Sequence, residues 1–200
     1  MSNRRELLQL GMAAIALPLG RAARAARSQG APRVVAPVEL HKAVYDTRFA
    51  ASRAFGERMT AHGIATASTA GDVTALWYDS LHAQWQKAAA PIAGLTARGP
   101  LFCLERLAWD YGMRVIFRAE HSSSSDGMIR HDIEGAGVPD AFQRLATDAN
   151  WVSVVSDVMV RYPHSGAQQT GVRFDTLRPA LQLPEGEPLY SWVIAPALRG

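Results

Sequence analysis

PIAGLTARGPLFCLERLAWDYGMRVIFRA, residues 91–119, is the stretch that decides the fold. Residues 91–95 form a short apolar run of the length of a buried strand. Pro100 stands where proline opens a helix, because the N–H it lacks would be unbonded in the first turn anyway. Leu101, Leu104, Leu107, Ala108 and Tyr111 then recur at helical spacing, and Gly112 ends the run. Val115, Ile116 and Phe117 make residues 113–119 the strongest strand candidate in the chain. Strand, helix and strand in that order are the parts of a parallel crossover unit.

The same alternation extends toward the N-terminus. Residues 39–46 read as a strand. Residues 47–62 place Phe49, Ala51, Ser52, Phe55 and Met59 on helical spacing, and residues 64–69 are a small-residue strand. Gly71 and Asp72 open a second helix with Asp72 as its cap and Val73, Leu76, Trp77, Leu81 and Trp85 as its stripe. The order β-α-β-α-β-α-β predicts an α/β fold: three layers, a mostly parallel sheet with helices on both faces, Rossmann-like in the loose sense. Toward the C-terminus, residues 128–134 read as a strand. Residues 139–162 read as helix in two pieces around Asn150, and residues 171–174 as a strand. Residues 189–195 read as a late strand at a sheet edge. Residues 26–38 are a linker by composition, and residues 39–200 form a single α/β domain.

Charge locates a second segment. The net charge of +3 belongs entirely to residues 1–25, where Arg4, Arg5, Arg21 and Arg24 face only Glu6. The remainder balances at 17 basic and 17 acidic residues, which argues against nucleic acid as a partner. One cysteine excludes an internal disulfide framework. Behind Arg4 and Arg5 comes an apolar run over residues 7–19, too short to span a bilayer, followed by Ala23-Arg24-Ala25 in the pattern of a signal-peptidase site.

Asn3-Arg4-Arg5-Glu6-Leu7-Leu8-Gln9 resembles a bacterial twin-arginine (Tat) signal, whose pattern is Ser-Arg-Arg-x-Phe-Leu-Lys. The arginine pair and Leu8 match; Asn3, Leu7 and Gln9 differ. Gly11 and the alanines dilute the apolar run, and Arg21 and Arg24 follow it, which disfavours the general secretory route. The resemblance implies periplasmic export by the Tat translocase, signal removal after residue 25 and no stable membrane anchor thereafter. That route carries folded proteins, often with a cofactor or a companion subunit. A redox-enzyme subunit is therefore an expected partner, while the cofactor stays unknown.

In an open α/β sheet, ligands bind beyond the carboxyl ends of the parallel strands. Those ends select Asp46 and Arg48, Asp72, then Thr96, Arg98 and Gly99, then Glu120 and His121. The third loop is the most suggestive: free N–H groups at a helix start beside Arg98 suit a carboxylate or phosphate. Cys103 in the first turn of that helix, with His121 as base, makes a thiol nucleophile conceivable. Its neighbours Leu101, Phe102 and Leu104 favour the plainer expectation of a core cysteine. Asp46 and Asp72 have the plain alternative of capping. His121, His131 and Asp132 match no metal-ligand spacing, and no Walker A loop, dinucleotide fingerprint or serine elbow occurs. Two functional readings follow. One is an exported binding or accessory subunit. The other is a small periplasmic enzyme using Cys103 or a carboxylate with His121 on an anionic substrate.

Overall fold

A computed structural model describes residues 37–136, 140–163 and 169–197. The expected signal and all but the end of the expected linker lie outside the described residues. The last two linker positions join the fold: Pro37 bridges Pro163, and Val38 is buried and donates its N–H to the Tyr162 carbonyl at 2.8 Å.

The elements run β1 (Lys42–Asp46), α1 (Ala50–Ala61), β2 (Thr66–Thr69), α2 (Thr74–Leu76), a π-helical turn (Trp77–Leu81) and α3 (His82–Lys87). Then come β3 (Ile92–Thr96), α4 (Arg98–Trp109), β4 (Met113–Ser123) and β5 (Ile129–Ala136). A 3-10 helix (Asp140–Ala146), α5 (Trp151–Val160), β6 (Gln169–Thr176) and β7 (Leu189–Pro196) complete the order. Asn150 separates the last two helical pieces and caps α5, its side-chain oxygen accepting the Ser153 N–H at 3.3 Å.

The strands form one seven-stranded mixed sheet in the order β2-β1-β3-β7-β4-β5-β6. β1 pairs in parallel with β2 and β3, as crossover connections require. Beyond β3 every pairing is antiparallel, which corrects the expectation of a mostly parallel sheet. The reason lies in two connections. The serine-rich loop after β4 is a hairpin turn, with Ser124 and Met128 hydrogen-bonded across it at 3.0 Å, so β5 must run back. The crossover through α4 leaves a one-strand gap between β3 and β4, and β7 fills it in the opposite direction. The late strand is therefore central rather than at an edge, and residues 191–195 are all buried, as suits a strand covered on both sides.

Alternate strand residues feed two apolar clusters. Ala43, Ala93, Leu95, Val193 and Ala195 pack with Phe55 and Met59 of α1 and with Trp151, Val155 and Met159 of α5. Val44, Ile92, Trp192 and Ile194 pack with Leu76, Trp85 and the α4 residues Leu101, Leu104 and Ala108. A β-bulge between Val115 and Phe117 breaks this alternation within β4. Met113 and Val115 join the α4 side, whereas Phe117 and Ala119 join the α5 side.

Trp192 fixes the position of β7. It is fully buried and stands opposite Gly94 in the register. A Cβ on Gly94 would lie 2.2 Å from the indole, so only glycine admits that ring. The indole N–H donates to Thr96 Oγ1 at 3.1 Å. Gly94→Ala is expected to destabilise the protein by about 2–3 kcal/mol through overpacking. Urea unfolding checks this, and an unchanged midpoint contradicts it.

Candidate functional site

The carboxyl ends of β1 and β3 open onto a crevice of about 480 Å³ lined by Arg48, Gly71, Arg98, Gly99, Glu187 and Tyr190. Arg48 is set from below. The buried Asp46 carboxylate accepts its Nη2–H at 2.7 Å, its Nε–H at 3.0 Å and its backbone N–H at 3.2 Å. A fork of this kind orients a guanidinium as well as neutralising it. Gly71 supports the outer side of the same group. It has a φ of +94°, and a Cβ there would come 2.8 Å from Arg48 Cζ.

Arg98 enters from the start of α4. Ala97, the residue before that helix, offers no side-chain cap. The N–H groups of Arg98, Gly99 and Leu101 are thus first-turn donors without intrahelical acceptors, and Pro100 has none to leave over. Arg98 is exposed and makes no ion pair among the described residues. Two guanidiniums and the positive end of a helix therefore meet on one crevice, an arrangement suited to a carboxylate or phosphate.

A second groove, about 330 Å³, continues from Arg98 and Tyr190 between α4 and the exposed face of β4 and β5. Tyr190 sits between Thr96 of β3 and Glu120 of β4 in the register. Its hydroxyl donates to Glu120 Oε2 at 3.0 Å. Burial first, and then this bond to a carboxylate, raise the pKa of that hydroxyl. Arg118 crosses the groove to Glu105 at 2.8 Å, and its Nε is a buried donor without a partner.

The structure thus gathers Arg48, Arg98 and Gly99 on one crevice, with Asp46 behind Arg48 and Glu120 in the adjoining groove. Thr96 is buried beneath, occupied by Trp192 and by its own bond to the Ala97 carbonyl. Asp72 faces solvent and holds the start of α2, accepting the Thr74 N–H at 2.8 Å and its hydroxyl at 2.6 Å. Those bonds lower its pKa.

Cys103 and His121 are not brought together. Cys103 is exposed on the outer side of α4, which corrects the expectation of a core cysteine. The buried residues of α4 are Pro100, Leu101, Leu104 and Ala108, and Cys103 lies about 100° around the helix from Leu104. His121 is fully buried on the opposite side of the sheet, under Trp151 of α5. The bulge in β4 sends it there. Among the described residues no three His, Cys, Asp or Glu side chains are grouped to hold a metal ion. Sequence reasoning missed Tyr190, Glu187 and Arg118. For Arg118 and Tyr190 the only advance signal was strand alternation, which acquires meaning once β7 is known to lie between β3 and β4, and Glu187, in the loop before β7, had none.

Compared with known proteins, the chain matches no family model, no curated protein sequence and no solved structure at a significant level. The crevice therefore carries the functional argument. As a check on the geometry, Cys103 in the native protein is expected to react completely with a disulfide-exchange reagent at pH 8 without denaturant. Protection until unfolding contradicts its placement.

Proposed function

We propose that the chain is an exported periplasmic α/β protein serving as a binding or accessory subunit, with an oxidoreductase complex as the partner it accompanies. The single observation that carries the binding half is the convergence of Arg48, Arg98 and the uncapped start of α4 on one crevice at the carboxyl ends of parallel strands. Ligands of open α/β sheets bind in that position. The parallel unit β2-β1-β3, with α1 packed in one cluster and α2 to α4 in the other, supports a three-layer, Rossmann-like reading of this half of the sheet. The arginine pair at residues 4 and 5 supports the Tat route and the periplasm. The separation of Cys103 from His121 favours the binding reading over a thiol enzyme.

The ligand class is a small anion bearing a carboxylate or phosphate. Arg98 is the group to test, because it borders both cavities and is not committed to an internal ion pair. Arg98→Gln is expected to weaken binding of inorganic phosphate or a small dicarboxylate at least tenfold in calorimetry, with the thermal midpoint unchanged. Equal affinity of the two proteins contradicts the assignment. Native mass spectrometry of the protein taken from the periplasm of its own host tests the subunit half. A stable heteromer is expected, and a lone, unliganded monomer overturns it.

A further inference from the structure

A buried chain of hydrogen bonds crosses the side of the sheet under α5. His121 of β4 and His131 of β5 stand directly opposite each other, both buried, with their Nδ1 atoms 2.7 Å apart. His121 Nε2 is 2.8 Å from Ser191 Oγ of β7. His131 Nε2 is 2.9 Å from Thr176 Oγ1 of β6, and that hydroxyl donates to the Leu145 carbonyl of the 3-10 helix at 2.5 Å. The Trp151 indole covers both imidazoles, with centroids 4.8 and 5.4 Å away.

The position of every proton follows from one end of this chain. Thr176 has a single hydroxyl hydrogen, and a carbonyl can only accept. Thr176 Oγ1 therefore accepts from His131 Nε2–H. Burial pushes the His131 pKa down to about 4, so the ring is neutral and its Nδ1 is a bare acceptor. His121 Nδ1–H donates to it. Burial, and then the neighbouring histidine, lower the His121 pKa as well, so its Nε2 is free to take the Ser191 hydroxyl hydrogen. Ser191, His121, His131 and Thr176 each donate once, in one direction, to the Leu145 carbonyl.

We propose that this pair is an acid-operated latch holding α5 and the 3-10 helix on the sheet. It admits one proton within the native fold and is forced open by the second. The first proton is accommodated when His131 donates from Nδ1 and His121 turns its hydrogen to Nε2, toward Ser191. The second leaves two N–H groups facing each other at the 2.7 Å Nδ1 contact, with two cations buried beneath an indole. The rings must then separate, and Thr176 and Trp151, their links to the 3-10 helix and α5, move with them.

Among the described residues, the groups that touch the pair on this face carry no counter-charge. Ser191 of β7 and Thr176 of β6 present hydroxyls, the 3-10 helix a carbonyl, and α5 an indole. Glu120 and Asp132, next to the histidines in β4 and β5, line the groove on the other face, and Asp132 is paired there with Arg173 at 2.5 Å. Asp132 raises the His131 pKa, but less than burial lowers it. Arg130 and Asp175, also on that far face, pair with each other at 3.4 Å. Both histidines thus bind protons more weakly folded than unfolded. The stabilising contribution of His131 is complete above the unfolded pKa of 6.5 and is lost as pH falls from there toward about 4, and that of His121 is lost in the same direction.

The test uses the full mature chain. In the wild type at pH 7.5, long-range ¹H–¹⁵N spectra of the imidazoles are expected to show neutral rings, His121 protonated at Nδ1 and His131 at Nε2. A charged ring or other tautomers overturn the proposal. Urea unfolding is then followed by Trp fluorescence between pH 6.5 and 5 for the wild type and His131→Asn. The wild-type folding constant is expected to fall more steeply, by up to about tenfold per pH unit. The 3.0 Å contact between His62 and Asp157 is common to both proteins and cancels. Parallel curves overturn the latch. Should His131→Asn fail to fold, wild-type spectra followed downward from pH 5 until both rings are charged decide: two charged rings in an intact native state overturn it, and a second charge that appears only with loss of α5 supports it.

Discussion

Everything on the crevice side rests on one close contact, the indole of Trp192 lying over the missing side chain of Gly94. That contact lets β7 approach β3, and the bond from the indole to Thr96 fixes the register. Tyr190, two residues earlier, is thereby carried to the mouth of the crevice between Thr96 and Glu120. Among the described residues, the parallel strands and the antiparallel strands share no sheet pairing without β7, because no other strand pairs with both β3 and β4.

The bulge at Val115 and Phe117 does a different job. It shifts the alternation of β4 so that Arg118 and Glu120 face the groove and His121 faces α5. The chemistry of the molecule is thus sorted by face. Charged and hydroxylic groups open to solvent lie on the α4 side, and a dry, neutral, directional chain of hydrogen bonds lies on the other. Neighbouring residues of one strand serve both, Glu120 next to His121 and Tyr190 next to Ser191.

What could be read in the sequence was local. Residues 91–119 declared their strand, helix and strand through periodicity, Pro100 and Gly112, and the earlier alternation followed the same rules. Arg48, Arg98 and Gly99 were legible because the ends of parallel strands are where such sheets place ligands. The strand order was not legible. Nothing in residues 189–195 names Gly94 as their opposite, and the serine loop announced a turn without saying that it reverses a strand. The bulge left no mark, since Val115, Ile116 and Phe117 are apolar on either alternation, and with it went the true surroundings of His121. The position of Cys103 was within reach: helical geometry alone turns it away from the face that Leu101, Leu104 and Ala108 bury.

The place of β7 also bears on how the molecule comes into being. Of the seven described strands, the last in chain order occupies the middle of the sheet. Until residues 189–196 are free, β3 and β4 each present an unpaired edge, and no partial chain can bring them together. Closure of the sheet therefore waits until residues 189–196 have been made. The interval before it is the time when another chain's strand could take the vacant position.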